Sequence, residues 1–209
     1  MSSVLYFHGF ASSPDSAKVR SLVELLRPEG IELNAPDLNT PSFERLDWDA
    51  MIETAMEALR RVPPRAIVGS SLGALLALEM IRRGLLLPLV LIAPALGVAE
   101  RWRREPPPGD PVIAFNHARD QDVPIHRAFF EQMAEVHVDA SPPPAPVSVI
   151  MGRNDETVPF EGVLRTWQEW EATGQLAPGS RFIEIAEGDH GLTAHVDLIA
   201  REIVAAVRP

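Results

Sequence analysis

The chain has 209 residues, 46% of them hydrophobic, and a formal net charge of -10 at pH 7. That is enough for one well-buried core, and the wrong sign for a nucleic-acid partner or an anionic membrane surface. It has no cysteine, which excludes disulfides and thiolate chemistry. The opening MSSVLYFHGF lacks the basic start and apolar length of a signal peptide, and no apolar run approaches the roughly 20 residues of a membrane span. The expectation is a soluble, cytoplasmic protein. Lys18 is the only lysine, so the remaining positive charge is arginine, as in a GC-rich genome or a heat-adapted protein.

Ser3 to Phe7 (SVLYF) reads as a buried strand. DSAKVRSLVELLRPEG then sets Val19, Leu22, Val23 and Leu26 at helical spacing, with Ser13 or Asp15 as N-cap and Gly30 as the stop. Ile31 to Leu38 is a second strand, and Trp48 to Val62 a helix ended by Pro63 and Pro64. RAIVGS gives a third strand, followed by a helix from Leu72 to Arg83, and Leu87 to Leu96 a fourth strand. Val147 to Gly152 and Arg181 to Ala186 complete the strands. Helices are predicted over Phe160 to Ala172 and Val196 to Val207. Short apolar runs alternating with longer amphipathic ones predict an α/β protein built on a parallel sheet. No internal repeat or second core is visible, so residues 1–209 read as one domain.

Residues 97–146 break the alternation. Two proline clusters, EPPPGDP and SPPPAP, bracket them. Inside, PIHRAFFEQMAEVHV puts Ile125, Phe129, Met133 and Val136 on one helical face. The stretch reads either as a lid or cap insertion after the fourth strand or as a plain packing decoration. Phe129 and Met133, with Phe115, Phe130 and Trp102 behind them, are candidates for a substrate-pocket wall. The alternative is that they only pack the insertion onto the body.

The chemistry concentrates at strand ends. Gly69-Ser70-Ser71-Leu72-Gly73 matches G-x-S-x-G between a strand and a helix, which puts Ser71 in the nucleophile position. A serine needs a base, and the base an orienting partner. Asp155, in GRNDETVPF, follows the strand ending at Gly152, and His190, in EGDHGL, follows the strand ending near Ala186. All three then lie on one rim of the sheet, in the order Ser, Asp, His. Glu156, Asp189 and Asp37 compete less well with Asp155: the first points elsewhere on a short loop, the second adjoins the histidine, and the third ends a strand as a turn residue.

The stretches LYFHGFASSPDSAK, VGSSLGALLA, GRNDETVP and GDHGL resemble the α/β-hydrolase superfamily, and among its members the small single-domain esterases of the YqiA type. The resemblance covers nearly the whole chain except 97–146. It implies a minimal, mostly parallel sheet of about six strands flanked by helices, in the order 2-1-3-4-5-6. It also implies an oxyanion hole made by the backbone N–H groups of Phe10 and Leu72, a catalytic set of Ser71, Asp155 and His190, and a structural role for His8. The remaining histidines need no chemistry: His117, His126 and His137, near Asp120 and Asp122, lack metal-ligand spacing, and His195 opens the last helix. Ser12, Ser13 and Ser16 read as caps.

The leading function is serine hydrolysis of a small-molecule carboxylic ester or thioester, with no cofactor, no metal, no nucleic acid and no membrane. An aspartate at the elbow would be needed for haloalkane or epoxide chemistry. A peptidase, a perhydrolase or a C–C hydrolase fits the same three residues, and a non-enzymatic ligand-binding module on the same scaffold is the rival class.

Overall fold

The computed structural model describes residues 2–116 and 119–208. Its strands and helices, in chain order, begin with β1 (Ser2–Phe7), α1 (Ala17–Leu26), β2 (Ile31–Asn34), α2 (Trp48–Arg61), β3 (Ala66–Ser70), α3 (Leu72–Arg82) and β4 (Leu89–Ile92). They continue with α4 (Val98–Arg104), β5 (Val112–Asn116), β6 (Gln121–Ile125), α5 (Arg127–Met133), β7 (Val147–Gly152), α6 (Phe160–Ala172), β8 (Arg181–Ile185) and α7 (Val196–Val207).

Six strands form one parallel sheet in the order β2-β1-β3-β4-β7-β8, the order expected once the hairpin β5-β6 is set aside. Helices cover both faces, so the central strands are continuous apolar runs rather than alternating ones. Val4 to Phe7, Ile67, Val68 and Leu89 to Ile92 are all essentially inaccessible. Helix α3 is apolar nearly all round because it lies mostly inside, with nine of its residues buried and only its last turn, with Glu79 and Arg82, reaching the surface. By contrast α2 buries only one face, through Trp48, Met51, Ile52 and Ala55. The chain leaves β1 in one direction for β2 and in the other for β3. The carboxyl ends of β1 and β3 therefore flank the crevice where ligands bind in open α/β sheets.

Element ends differ from expectation in places. Ser16, not Ser13 or Asp15, caps α1, accepting the Val19 N–H. Helix α1 ends at Leu26, and a 3-10 turn carries the chain to Gly30, whose φ of 70° makes the stop. Strand β2 stops at Asn34 rather than Leu38, two residues before Pro36, which has no N–H for a ladder.

The larger correction falls in 97–146. The helix read over residues 124–138 is shortened to α5, and an unexpected antiparallel hairpin, β5-β6, precedes it and takes in Ile125. Ile125 belongs to β6, paired with Val112, and Val136 follows the helix, so only Phe129 and Met133 of the four share a helical face. All four are buried nonetheless. Helix α4 also escaped the periodicity. Asp139 draws the two ends of the segment together: its Oδ2 accepts the Gly97 N–H at 2.6 Å and its backbone oxygen the Trp170 Nε1–H at 2.9 Å. Among the described residues, no helix is long and apolar enough to cross a membrane.

Candidate active site

Ser71 sits in the one-residue corner between β3 and α3 with φ 53° and ψ −116°. A non-glycine residue rarely holds that backbone, and it costs on the order of 1–3 kcal/mol. The corner closes because its glycines have no side chain. A Cβ on Gly73 would lie 2.1 Å from the Phe7 carbonyl oxygen, and one on Gly69 would lie 2.5 Å from Ala74 Cα. Ser71 occupies the N-cap position of α3 but its hydroxyl caps nothing. It is aimed instead at His190.

The hydroxyl and His190 Nε2 are 3.1 Å apart, and His190 Nδ1 and Asp155 Oδ2 are 2.7 Å apart. A carboxylate only accepts, so Nδ1–H donates to Asp155, and Nε2 is left to accept the Ser71 proton. The Asp155 side chain is completely shielded. Its other oxygen, Oδ1, accepts the N–H groups of Thr157 and Val158 at 2.9 and 2.8 Å, which fixes the carboxylate. Arg101 of α4 donates to the Thr157 carbonyl at 2.9 Å, bracing the same loop. The loops after β7 and β8 are knitted together by Asn154 N–H donating to Gly188 O at 2.9 Å and Arg153 N–H to Ile185 O at 2.9 Å. Asp189 does not compete for the imidazole; its Oδ1 accepts the Leu192 N–H at 2.7 Å. Asp37 likewise closes a turn, accepting Asn39 N–H at 3.0 Å.

The loop after β1 passes directly over the corner. A Cβ on Gly9 would stand 3.1 Å from Ser71 Cβ. His8, buried beneath it, shapes this loop: Nδ1–H donates to Gly9 O at 2.9 Å and Nε2 accepts the Leu38 N–H at 3.0 Å. Burial lowers the His8 pKa below 6.5, against the Gly9 bond and the Asp37 carboxylate 3.6 Å away. Among the described residues, neither the Phe10 nor the Leu72 N–H has a hydrogen-bond partner. Phe10 and Leu72 also line a narrow apolar cleft of about 10 Å³, room for little more than a water, walled further by Leu38, Leu46, Trp48, Met51 and Leu76.

Phe129 and Met133 do not border that cleft. They are 1% and 0% exposed, and the Phe129 ring stacks on Phe10 with centroids 6.1 Å apart and planes 6° from parallel. Phe43 and Phe130 pack on the same Phe10 ring at 5.9 and 6.0 Å. Sequence reasoning missed Lys18, whose Nζ donates to Ser70 Oγ at 3.1 Å. One signal pointed to it: a lone lysine in a chain that otherwise uses arginine. His117 lies outside the described residues. Among the described residues, no group of three or more metal-ligating side chains converges.

A parallel sheet in this order, with a serine corner after β3 and the other two groups after β7 and β8, defines the α/β-hydrolase fold, and solved structures agree. Est1E from Butyrivibrio proteoclasticus, with ferulic acid bound, superimposes with a TM-score of 0.80 at 16% identity, over 98% of this chain and 87% of that one. The mouse alpha/beta hydrolase domain-containing protein 10 gives 0.72 at 20% identity, over 96% and 87%. The monoacylglycerol lipase of Paleococcus ferrophilus gives 0.72 at 18%, over 98% and 93%. Within that superfamily the chain belongs to the uncharacterised protein family UPF0227, whose model matches residues 3–194. Comparison by sequence with curated proteins gives no match.

Proposed function

We propose that the chain is a serine hydrolase acting on carboxylic esters or thioesters of small molecules. The observation that carries this reading is the hydrogen-bonded series Ser71–His190–Asp155 at a strained corner. In the proposed reaction Ser71 Oγ attacks the substrate carbonyl while His190 Nε2 takes its proton. Asp155 holds the imidazole in the tautomer that leaves Nε2 free and stabilises the imidazolium that forms. The carbonyl oxygen, negative in the tetrahedral intermediate, is met by the N–H groups of Phe10 and Leu72, which have no partner among the described residues to give up. Imidazolium then protonates the leaving group. Water, deprotonated by the same nitrogen, releases the acid from Ser71. No cofactor enters. The lining of the narrow cleft beside Phe10 and Leu72 is apolar, which favours an apolar group on the substrate over a charged one. Two of the structural neighbours, Est1E with ferulic acid bound and a monoacylglycerol lipase, add support for ester substrates.

A fluorophosphonate probe tests the reading. Covalent labelling at Ser71, lost in Ser71→Ala, is the expected result. Ligand binding with no labelling would instead make the chain a binding module on a hydrolase scaffold. p-Nitrophenyl esters and acyl-CoA thioesters of graded length then separate ester from thioester.

A further inference from the structure

Lys18 is the second residue of α1, directly after the loop that carries Phe10, and it reaches across to the last residue of β3. We propose that Lys18 is a positioning residue of the site. Its ammonium group, through Ser70, clamps the Phe10 loop to the strand end that holds Ser71. The inference rests on the hydrolase reading above and adds to it a residue that touches no substrate.

Ser70 is 7% exposed, and its hydroxyl accepts from Lys18 at 3.1 Å. The Tyr6 phenol of β1 is fully buried; burial pushes its pKa up to about 12, with Ser70 pulling the other way. The Lys18–Ser70 contact thus ties α1 to the end of β3 in an otherwise apolar layer, with Tyr6 of β1 close enough to feel Ser70. The carboxylates whose field acts on the ammonium are Asp189 after β8 and Asp155 after β7, on either side of His190 in the site. A lysine on a helix surface ordinarily extends its charge into water, but this one is drawn inward at a cost. Burial lowers its pKa to about 8, and the two carboxylates only partly oppose that.

Two consequences have opposite signs for stability and for activity. The unfolded chain holds the Lys18 proton up to about the ordinary value of 10.5, the folded chain only to about 8. Between those values the unfolded state binds more protons, so stability rises with pH through that window, and below it the buried cation costs in full. An apolar side chain of similar volume should therefore leave the fold as stable or more so. Activity should behave differently. A charge-assisted hydrogen bond is roughly twice as strong as a neutral one, so the clamp is firm while Lys18 is charged and slackens as it loses its proton.

The test follows Ser71 labelling by a fluorophosphonate from roughly pH 6 to roughly pH 10, a span that brackets the ordinary imidazole range and most of that of lysine. The wild-type rate should decline above about pH 8. Lys18→Met should label about 10-fold or more slowly at neutral pH, since small misplacements of reacting groups cost that much. It should lack the decline and melt no lower than the wild type. Ser70→Ala should slow labelling too, and combining it with Lys18→Met should add little, because both remove one contact. Should Lys18→Met melt lower, Lys18→Gln, which keeps a donor without the charge, decides by the presence or absence of the decline. A wild-type rate and decline in the Lys18 variants, or effects that multiply in the double variant, would overturn the proposal. Labelling that persists in Ser71→Ala would overturn the hydrolase reading itself.

Discussion

The parallel sheet and residues 97–146 are held in place by different kinds of contact. In the sheet, backbone ladders set every register: Val4 to Phe7 lies against Ala66 to Gly69, and Ile67 to Ser70 against Leu89 to Ile92. The 97–146 segment extends no ladder of the sheet and keeps its hairpin to itself. Apart from the His126 N–H, which donates to Glu44 O at 2.9 Å, it attaches chiefly through side chains, among them the Phe129 and Phe130 rings on Phe10, the Gln132 amide at the start of α2, and Arg119 paired with Glu44. Ser71, Asp155 and His190 all stand on the sheet. Two links cross the division: Phe10, with its backbone in the loop after β1 and its ring gripped by α5, and Arg101 of α4, which braces the Asp155 loop. Chemistry should therefore fail when the sheet's residues change, and stability should fail when those of the segment do.

Ser71→Ala is the sharpest test of that division, with an expected loss of about 10⁴-fold or more in ester turnover. Its melting temperature should not fall, because the serine caps nothing. Retained turnover would move the chemistry elsewhere. Asp155→Asn should cost about 10³- to 10⁴-fold in kcat through the wrong imidazole tautomer, with KM little changed. Steady-state kinetics at fixed pH read it.

On the other side, Phe129→Ala should lower stability by about 3–5 kcal/mol, the range for emptying a buried aromatic site. The kcat/KM ratio among acetate, butyrate and octanoate esters should stay constant, because Phe129 does not border the cleft. A changed ratio would show that the segment reads chain length after all. Gln132→Ala should cost about 1 kcal/mol by leaving the Trp48 N–H, 2.7 Å from Gln132 Oε1, without its acceptor. Chemical denaturation measures both. The smallest effect concerns acid. The Arg119 partner holds the Glu44 pKa down, from 4.5 to about 2. The stability this pair supplies is present above about 4.5 and is lost as pH falls toward 2. Both side chains are well exposed, so the loss should appear only as faster amide exchange in the hairpin, and should be absent in Glu44→Gln.

The same division decided what could be read from sequence. A parallel sheet buried on both faces writes itself as unbroken apolar runs, and its βα corners demand glycine where backbones touch; hence VGSSLG, GRND and GDHG marked three loops on one rim. The strand order followed from the resemblance those loops carry. In the segment, Ile125, Phe129, Met133 and Val136 kept helical spacing, yet Ile125 is strand and Val136 lies beyond the helix. Burial alone placed them, and periodicity does not distinguish a buried hairpin strand from a helix turn when each is this short. The His8–Leu38 bond and the Lys18–Ser70 contact were illegible for another reason: each joins residues 30 or more apart through side chains that leave no pattern.

The His8 clasp has a consequence for life in acid. The imidazole is neutral where it sits because one nitrogen must accept from Leu38 while the other donates to Gly9. Taking up a proton would turn that acceptor into a donor facing the Leu38 N–H, and the loop over Ser71 would lose its shape. Because burial holds the folded-state value below 6.5, the clasp's contribution is intact above that pH and drains away as pH falls through the folded value. The His8 clasp would thus act as an acid fuse in the loop beside Ser71, separate from His190. Brief acidification should silence the molecule at that loop before the sheet melts, and neutralisation should restore it.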